Sequence, residues 1–243
     1  MFLFKKTKPT LRSLIPQGYI DIHSHIVPGI DDGAKNSSDS TFLLSKMKEF
    51  GFAEAIATPH IIQGIWENTF ESIQNTYDAN TDIWDASGLK VAAAAEYMMD
   101  SEFDKLFKTE KLRTLKDNYV LVEMSYINPP IQLYEILFDL RISGYQPVLA
   151  HPERYVFYHK EIKEYKKLIN AGCLLQLNLL SLTGYYGKEA AKVADSLLQN
   201  GMYSFSGSDI HHNNHIKNFE SKLVYSDAKL VSNLLEKNNF FKQ

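Results

Sequence analysis

The sequence predicts an α/β protein, a TIM-type barrel of parallel βα units, and two observations favour this fold class. Short apolar or β-branched runs alternate seven times with segments whose apolar residues recur at three- and four-residue spacing. Each repeat takes about 30 residues, which is the length of a βα unit. Because an ideal barrel has eight such units and only seven are predicted here, we expect a distorted barrel. A doubly wound open sheet is the alternative. No Pro-, Gly- or Ser-rich linker divides the chain, which predicts one domain over residues 19–243 after an N-terminal extension, residues 1–18.

The seven predicted strands are short apolar or β-branched runs that alternate with longer helical segments. They cover residues 19–23, 53–58, 89–95, 119–123, 146–150, 173–178 and 202–206. Three intervening segments carry clear helical stripes, formed by Leu43, Leu44, Met47 and Phe50, by Leu133, Ile136, Leu137 and Leu140, and by Ala190, Val193, Ala194 and Leu197. Glycines follow the predicted helices where a left-handed cap is favoured, at Gly51, Gly144, Gly172 and Gly201.

Composition limits the possible functions. The chain of 243 residues has 26 Lys and Arg against 29 Asp and Glu, a formal net charge of −3. This balance provides no overall attraction to nucleic acid or to an anionic membrane. The single cysteine, Cys173, excludes an internal disulfide and a Cys-rich zinc site. Eight histidines leave a metal site of nitrogen and oxygen ligands open.

The N-terminus has an apolar patch, residues 2–4, followed at once by Lys5 and Lys6. A secretory signal has the opposite order and a longer apolar run, and no apolar stretch approaches the roughly 20 residues that span a bilayer. We therefore expect a cytoplasmic protein with a disordered or loosely docked tail and at most peripheral membrane contact.

Side chains suited to metal binding follow six of the seven predicted strands. His23 and His25 lie two apart on one strand, so both imidazoles face the same way. The other strand ends and the first loop add further candidates, namely Asp32, His60, Glu96, Glu123, His151, Asp209 and His211, and Asp31 is a second carboxylate beside Asp32 in that loop. The carboxyl ends of barrel strands form one rim, so these groups are expected around one cavity. Nine ligands suit two or three ions, whereas Gln176 and Asn178 of the sixth strand suit an orienting role.

Clustered divalent ions favour phosphoryl transfer, because they stabilise charge on the transferring group and lower the pKa of bound water. Arg154 belongs to a strand-end motif, unlike the other three arginines, and its planar guanidinium matches the geometry of phosphate.

Catalysis by a cysteine or serine nucleophile is disfavoured. Cys173 lacks a Cys-x5-Arg loop, and Ser206 and Ser208 lack a nucleophile elbow. No Walker loop or dinucleotide fingerprint is present.

Taken in chain order, the motifs resemble those of the polymerase and histidinol phosphatase (PHP) superfamily. More narrowly, they resemble the bacterial manganese-dependent protein tyrosine phosphatases of capsule and exopolysaccharide operons, the CpsB/CapC/YwqE type. The resemblance spans about residues 19–212 and is carried by His23-x-His25, Asp31-Asp32-Gly33, Thr58-Pro59-His60, Glu96, Glu123, His151-Pro152-Glu153-Arg154 and Ser208-Asp209-x-His211.

This resemblance implies a distorted (β/α)7 barrel, the PHP fold, that holds three divalent metal ions. Manganese is the expected ion, and iron and zinc are the alternatives. The implied ligand sets are His23, His25, Glu96 and Asp209 for one ion; Asp32, His60 and His211 for a second; and Glu123 and His151 with bridging Glu96 for a third. Arg154 would hold the phosphate while a metal-bridged hydroxide attacks phosphorus and expels tyrosinate. The implied partner is a phosphotyrosine-containing protein, the C-terminal tail of a bacterial tyrosine kinase that controls polysaccharide synthesis.

One departure concerns a second arginine that family members often carry after the last motif. This chain has no arginine there, and His212 and Lys217 are the candidates to replace it.

Three other functions compete with the tyrosine phosphatase. A small-molecule phosphoesterase of the histidinol-phosphatase type would share the metals and Arg154, and the rim of the cavity would decide between them. A regulatory metal-binding module without turnover is disfavoured because all nine ligands are present. An amidohydrolase would need a metal-bridging lysine at a strand end, and none of the seven strands offers one. Aromatic residues near the motifs could stack a phenol ring; they are Trp66, Tyr97, Tyr126, Tyr155, Tyr185 and Tyr186.

Overall fold

The computed structural model describes residues 8–242, which form two parallel β-sheets with helices packed on them. The strands are β1 (Tyr19–Ser24), β2 (Phe52–Ala57), β3 (His60–Ile61), β4 (Lys90–Ala93), β5 (Glu96–Met98), β6 (Tyr119–Glu123), β7 (Gln146–Ala150), β8 (Leu174–Asn178) and β9 (Phe205–Gly207). The helices are α1 (Ser37–Glu49), α2 (Phe70–Asp78), α3 (Thr81–Ser87), α4 (Ser101–Thr109), α5 (Leu133–Ile142), α6 (Ile162–Asn170), α7 (Lys188–Gln199), α8 (Asn213–Asn218) and α9 (Ala228–Lys237). The predicted α/β class is confirmed.

One sheet has the order β1-β2-β4 and the other β3-β5-β6-β7-β8-β9, and all pairings of these strands are parallel. Backbone hydrogen bonds also pass between the sheets. The Asp209 N–H, just after β9, donates to the His23 carbonyl of β1 at 2.7 Å. The two sheets therefore adjoin between β9 and β1, and the chain passes directly from one sheet to the other where β3 follows β2 and β5 follows β4.

Two predicted strands are each followed by a second short strand that the sequence did not predict. Pro59 has no N–H to donate, so the β2 ladder stops at Ala57 and the chain pairs again only as β3. Likewise the run predicted to reach Ala95 ends at Ala93, and β5 begins at Glu96. His60 and Glu96 therefore open short strands instead of ending long ones, and they pair with each other in register. The seventh predicted strand begins at Phe205, later than predicted.

The helical stripes predicted from apolar spacing face the core. Leu43, Leu44 and Met47 of α1 are buried, and so are the four predicted apolar residues of α5. The predicted glycine caps are also found, with Gly51 at φ +101° and Gly144 at φ +90° in the left-handed region. A smaller apolar cluster lies among the strands, where Ile22, Leu121 and Val148 are fully buried. Apolar packing against the helices and among the strands thus holds the strand ends in place.

Residues 10–15 are packed against the body of the protein, in contrast to the loose tail expected there. Leu11 is fully buried, and its N–H donates to the Ser221 carbonyl at 3.0 Å. Arg12 pairs with Glu49 at 2.9 Å and with Glu220 at 2.5 Å. The apolar and basic residues 2–6 lie outside the described residues. Among the helices of residues 8–242, none is long and apolar enough to cross a membrane.

Candidate metal centre

The predicted ligands converge at the carboxyl ends of the strands. His23, His25 and Glu96 are fully buried, and a cavity of about 420 Å³ opens above them. Four overlapping groups have ligand atoms within 4.8 Å of one another. They are His25, Asp32, His60 and His211; His23, His25 and Asp209; His23, Glu96 and His151; and His60, Glu96 and Glu123. Each of the nine predicted ligands belongs to at least one group.

His23 and His25 each turn the same ring nitrogen toward the cluster. His23 Nδ1 lies 3.0 Å from Gln176 Oε1 and His25 Nδ1 lies 2.8 Å from Asp31 Oδ2, so each Nδ1–H donates to an oxygen. In the neutral rings, the lone pairs of both Nε2 atoms then face inward, 3.3 Å apart. Metal-binding histidines typically donate the N–H of the other ring nitrogen to an oxygen in this way.

Carboxylate oxygens complete the group around these two nitrogens. Glu96 Oε2 lies 3.2 Å from His23 Nε2 and 3.4 Å from His25 Nε2. Asp209 Oδ1 lies 3.3 Å and 3.4 Å from the same two nitrogens. Lone pairs of four side chains thus point at one another, which is favourable only when a cation or added protons lie between them.

The outer part of the cluster is more open. Asp32 Oδ1 lies 3.5 Å from His60 Nε2 and 3.4 Å from His211 Nε2, so these three predicted partners meet. Asp32 is also the most exposed ligand, at 57% of its side chain. His211 Nδ1 donates to the Asp209 carbonyl at 2.9 Å, which again leaves Nε2 free for the cluster.

The third predicted set is divided between two neighbours of Glu96. Glu96 Oε1 lies 3.1 Å from His151 Nε2, whereas Glu123 Oε1 lies 3.0 Å from His60 Nδ1. The latter two atoms and His151 Nδ1 are buried without a hydrogen bond. Buried polar atoms without a partner are rare in proteins. A cation shared by Glu123 and its neighbours would explain why Glu123 Oε1 and His60 Nδ1 lie close together without a hydrogen bond. The residues present therefore fit a metal ion.

The charges of the cluster act strongly on one another. Burial lowers the pKa of His23, but the negative charges of Glu96 and Asp209 outweigh it and raise that pKa to about 9. Burial and the adjacent Arg154 lower the pKa of His151 to about 4, which keeps this ring neutral at pH 7. Burial, together with the charge of Glu96, raises the pKa of Glu123. Shifts of this kind, caused by burial and close charges in a cleft, are common at functional sites.

Arg154 lies at the edge of the metal cluster and contacts it directly. Its Nη1 donates to Asp209 Oδ2 at 2.8 Å, and Asn178 Nδ2 donates to the same oxygen at 2.7 Å. The guanidinium lies 4.0 Å from the Tyr186 ring centroid and 4.8 Å from that of Tyr126. Two aromatic rings therefore hold the arginine in place, with its side chain 20% exposed toward the cavity.

Tight backbone geometry brings the loops to the cluster. His151 at φ 38° and Asp209 at φ 52° both adopt the left-handed region, where non-glycine residues are strained. Ser208, whose N–H and hydroxyl donate to buried Asp21 at 2.8 Å and 2.5 Å, fixes the chain before Asp209. At Gly33, a Cβ atom would lie 2.1 Å from the His25 carbonyl oxygen, so the loop carrying Asp32 can approach β1 only with glycine there.

Several site residues were not predicted in their roles. Asp31 was grouped with the candidate carboxylates, yet it orients His25 and accepts a bond from the Gly33 N–H at 2.9 Å. Tyr126 and Tyr186 were among the aromatic candidates and line the cavity, but their stacking on Arg154 had no signal in the sequence. Gln176 and Asn178 do hold the orienting positions expected of them.

The two candidates for the missing arginine differ in position. His212 lines the cavity, while Lys217 is not among its lining residues. His215, which had no predicted role, is buried and also lines the cavity, and its Nδ1 accepts from the His211 N–H at 3.1 Å. Trp66, Ile62 and Met98 form an apolar wall of the same cavity.

Comparisons with known proteins agree with this geometry. The family described as capsular polysaccharide synthesis, CpsB/CapC, matches residues 19–223. The tyrosine-protein phosphatase YwqE of Bacillus subtilis (strain 168) is 30% identical over 243 residues, which is 92% of this chain and 94% of the relative. The tyrosine-protein phosphatase CpsB of Streptococcus pneumoniae is 33% identical over 202 residues, which is 79% of this chain and 82% of that relative.

Solved structures are similar as well. One, described as YwqE from Bacillus subtilis and CpsB from Streptococcus pneumoniae, unique metal-dependent tyrosine phosphatases, superposes with a TM-score of 0.75 at 28% identity, covering 82% of this chain and 84% of that chain. A lactonase from Listeria monocytogenes has a TM-score of 0.52 at 9% identity, covering 93% of this chain and 88% of that chain. The second likeness concerns the fold alone.

Proposed function

The chain belongs to the CpsB/CapC family, and we propose that it is a metal-dependent protein tyrosine phosphatase, a phosphoric monoester hydrolase acting on phosphotyrosine. The observation that carries the proposal is the convergence of nine nitrogen and oxygen ligands beneath a cavity whose rim holds Arg154 between two tyrosine rings. The metal-dependent tyrosine phosphatases to which the chain is similar support it.

We propose three divalent ions, manganese by preference, with the ligands grouped as the family resemblance implies. His23, His25, Glu96 and Asp209 would hold the first ion, and Asp32, His60 and His211 the second. Glu123 and His151 would hold the third, with Glu96 bridging. Glu123 Oε1 and His151 Nδ1, which are buried without a hydrogen bond, support a cation near these residues. When bound, such ions lower the pKa of water and neutralise charge on a phosphoryl group.

The chain's own residues would then bind and orient the substrate. Arg154 gives one Nη1–H to Asp209, which leaves its other donors for the phosphoryl oxygens. Tyr126 and Tyr186 stack on the guanidinium and limit its motion, so less conformational freedom is lost when phosphate binds. Trp66 and Met98 give the phenol ring an apolar surface on the wall of the cavity.

We further propose the finer features that the family implies. The two adjoining sheets would form one distorted (β/α)7 barrel over residues 19–243. The substrate would be the C-terminal tyrosine cluster of a bacterial tyrosine kinase that controls capsule or exopolysaccharide synthesis, and the site of action the cytoplasm. The cavity has a volume of about 420 Å³, and Tyr126 on its rim is 44% exposed. A cavity open in this way can admit a phosphotyrosine side chain that is part of a protein.

A substrate panel on manganese-loaded protein tests the proposal. We expect release of phosphate from phosphotyrosyl peptides, its loss on adding chelator, and a reduction of 100-fold or more in Arg154→Ala and His151→Ala, about the effect of losing a charged transition-state donor or a metal ligand. Hydrolysis of histidinol phosphate without hydrolysis of phosphotyrosyl peptides would instead identify a small-molecule phosphoesterase. Full activity in Arg154→Ala would contradict the role given to that arginine.

A further inference from the structure

A second depression lies directly beside the metal cavity. It has a volume of about 410 Å³ and runs between the segment 61–70 and helix α4. We call it the flanking groove and define it by Ile62, Trp66, Phe70, Met98, Leu106 and Glu110. Ile62, Trp66 and Met98 line both the flanking groove and the metal cavity, so the two spaces adjoin across this wall.

The shared wall is a defined structural element. Ile62 and Trp66 exchange two backbone hydrogen bonds, of 2.9 Å and 2.8 Å, across a tight turn. This turn holds the half-buried indole between the two spaces. The floor of the flanking groove is formed by buried Tyr97 and Phe103. A fixed apolar floor of this kind favours binding of an apolar side chain.

The rim of the flanking groove is acidic. Four carboxylates line it, from Glu67, Asp100, Glu102 and Glu110, against two lysines. One of these lysines, Lys105, is already paired with Glu102 at 2.7 Å. The rim therefore keeps an excess of negative charge and is complementary to a positively charged ligand.

We propose that the flanking groove binds the polypeptide next to the substrate's phosphotyrosine, with an apolar side chain over the floor of Tyr97 and Phe103 and a basic side chain beside Glu110. The inference rests on the proposed phosphatase function. A phosphotyrosine held by the metal cavity directs its own chain along the shared wall, because that wall is common to both spaces. Charge then decides which sequences bind well: basic flanks are attracted and acidic flanks repelled.

The test compares two variants on three substrates with the manganese-loaded full chain. Glu110→Lys reverses the charge of the rim, and Glu135→Lys makes the same change on the exposed surface of α5 as the matched control. Lysine at position 110 suits the carboxyl end of α4, so the variant is expected to fold. The substrates are p-nitrophenyl phosphate, a phosphotyrosyl peptide flanked on both sides by leucine and lysine, and the same peptide with glutamate for lysine.

We expect Glu110→Lys to lower the ratio of kcat/KM for the lysine peptide to that for p-nitrophenyl phosphate about fivefold, through KM, and to raise the ratio for the glutamate peptide. Glu135→Lys should leave both ratios as in the wild type. Ratios unchanged in Glu110→Lys, or changed equally for the two peptides, would overturn the groove proposal. Hydrolysis of p-nitrophenyl phosphate but of neither peptide by the wild type would overturn the protein tyrosine phosphatase function and, with it, this inference.

Discussion

Three of the five candidate histidine ligands are each oriented by one oxygen contact at Nδ1. Asp31 and Gln176 accept from Nδ1 of His25 and His23, and the Asp209 carbonyl accepts from Nδ1 of His211. Each contact fixes which nitrogen faces the cluster, since a neutral imidazole has only one N–H. Oxygens of Asp31, of Gln176 and of the Asp209 main chain thus determine how the candidate histidine ligands face the cluster.

Substitution of Asn178 tests whether residues around the candidate ligands orient them. Its Nδ2 donates to Asp209 Oδ2 at 2.7 Å, and Asp209 Oδ1 faces the two buried histidines. In Asn178→Ser the serine keeps an acceptor to cap the next turn, but this donor is lost. We expect manganese affinity to fall about 10- to 100-fold, measured by calorimetric titration. Asn200→Ala, which removes an amide contact at the end of α7, is the control, and equal affinities in the two variants would contradict the role of Asn178.

Cys173 allows a prediction about chemistry that the protein should not use. The thiol is buried, at 1% exposure, and burial raises its pKa to about 12, so thiolate is scarce at neutral pH. We expect iodoacetamide to leave the native protein unmodified and its phosphatase activity unchanged, as followed by mass spectrometry and phosphate release. The urea-unfolded chain should be alkylated fully and serves as the control. Inactivation that parallels alkylation of the folded protein would contradict this.

At the level of elements, short strands carry ligands into the cluster. Pro59 ends β2, and the chain then pairs again as β3, which places His60 beside Glu96 of β5 in register. The breaks in these two neighbouring strands thus occur at the same level of the sheet and bring a pair of candidate ligands together. The close approach of β9 to β1 has a comparable role, since it brings Asp209 to His23.

Gly207 makes that approach possible. A Cβ atom there would lie 2.6 Å from His23 Cβ and 2.6 Å from Gln176 Nε2. We expect Gly207→Ala to lower the free energy of unfolding by about 1–3 kcal/mol through overpacking and also to weaken manganese binding, because His23 must move. Urea unfolding and metal titration measure the two effects.

Gly144→Ala is the control for Gly207→Ala. Gly144 has open space around it and φ +90°, so alanine should cost about 1–2 kcal/mol of stability through backbone strain alone. Manganese affinity should then stay at the wild-type value. A loss of affinity in Gly144→Ala equal to that in Gly207→Ala would show that the effect is general and not local to β9.

The sequence was sufficient to predict those features that depend on local pattern. Apolar spacing gave the helices, and the residues after each strand gave the candidate ligands, since parallel strands bring their carboxyl ends together wherever they lie in the chain. The sequence was insufficient to predict contacts between residues that lie far apart along the chain. The pairing of His60 with Glu96, the Tyr126–Arg154–Tyr186 stack and the flanking groove each depend on segments brought together only by folding.

For the molecule as a whole, the cluster is a concentration of buried charge in a chain of net charge −3. Glu96, Glu123 and Asp209 are at most 2% exposed, and burying such groups costs free energy unless they are paired. Apart from Arg154, which pairs with Asp209, their charged partners are imidazoles, whose positive charge requires bound protons. Divalent ions would supply the same charge at every pH at which the imidazoles are neutral, and the fold and the site are then stabilised by one binding event.

Thermal unfolding measures this coupling directly. Ions that bind only the native state stabilise it by about 2.7 kcal/mol at 100 times the dissociation constant, which in a domain of this size raises the Tm by about 5–10 °C. We expect this difference between manganese-loaded and chelator-treated protein, and a smaller one at pH 6 than at pH 8, because protons compete for the imidazole lone pairs. His151→Ala should reduce the difference, whereas Asn200→Ala should not. Equal Tm values with and without manganese would show that these buried carboxylates are balanced by the protein alone.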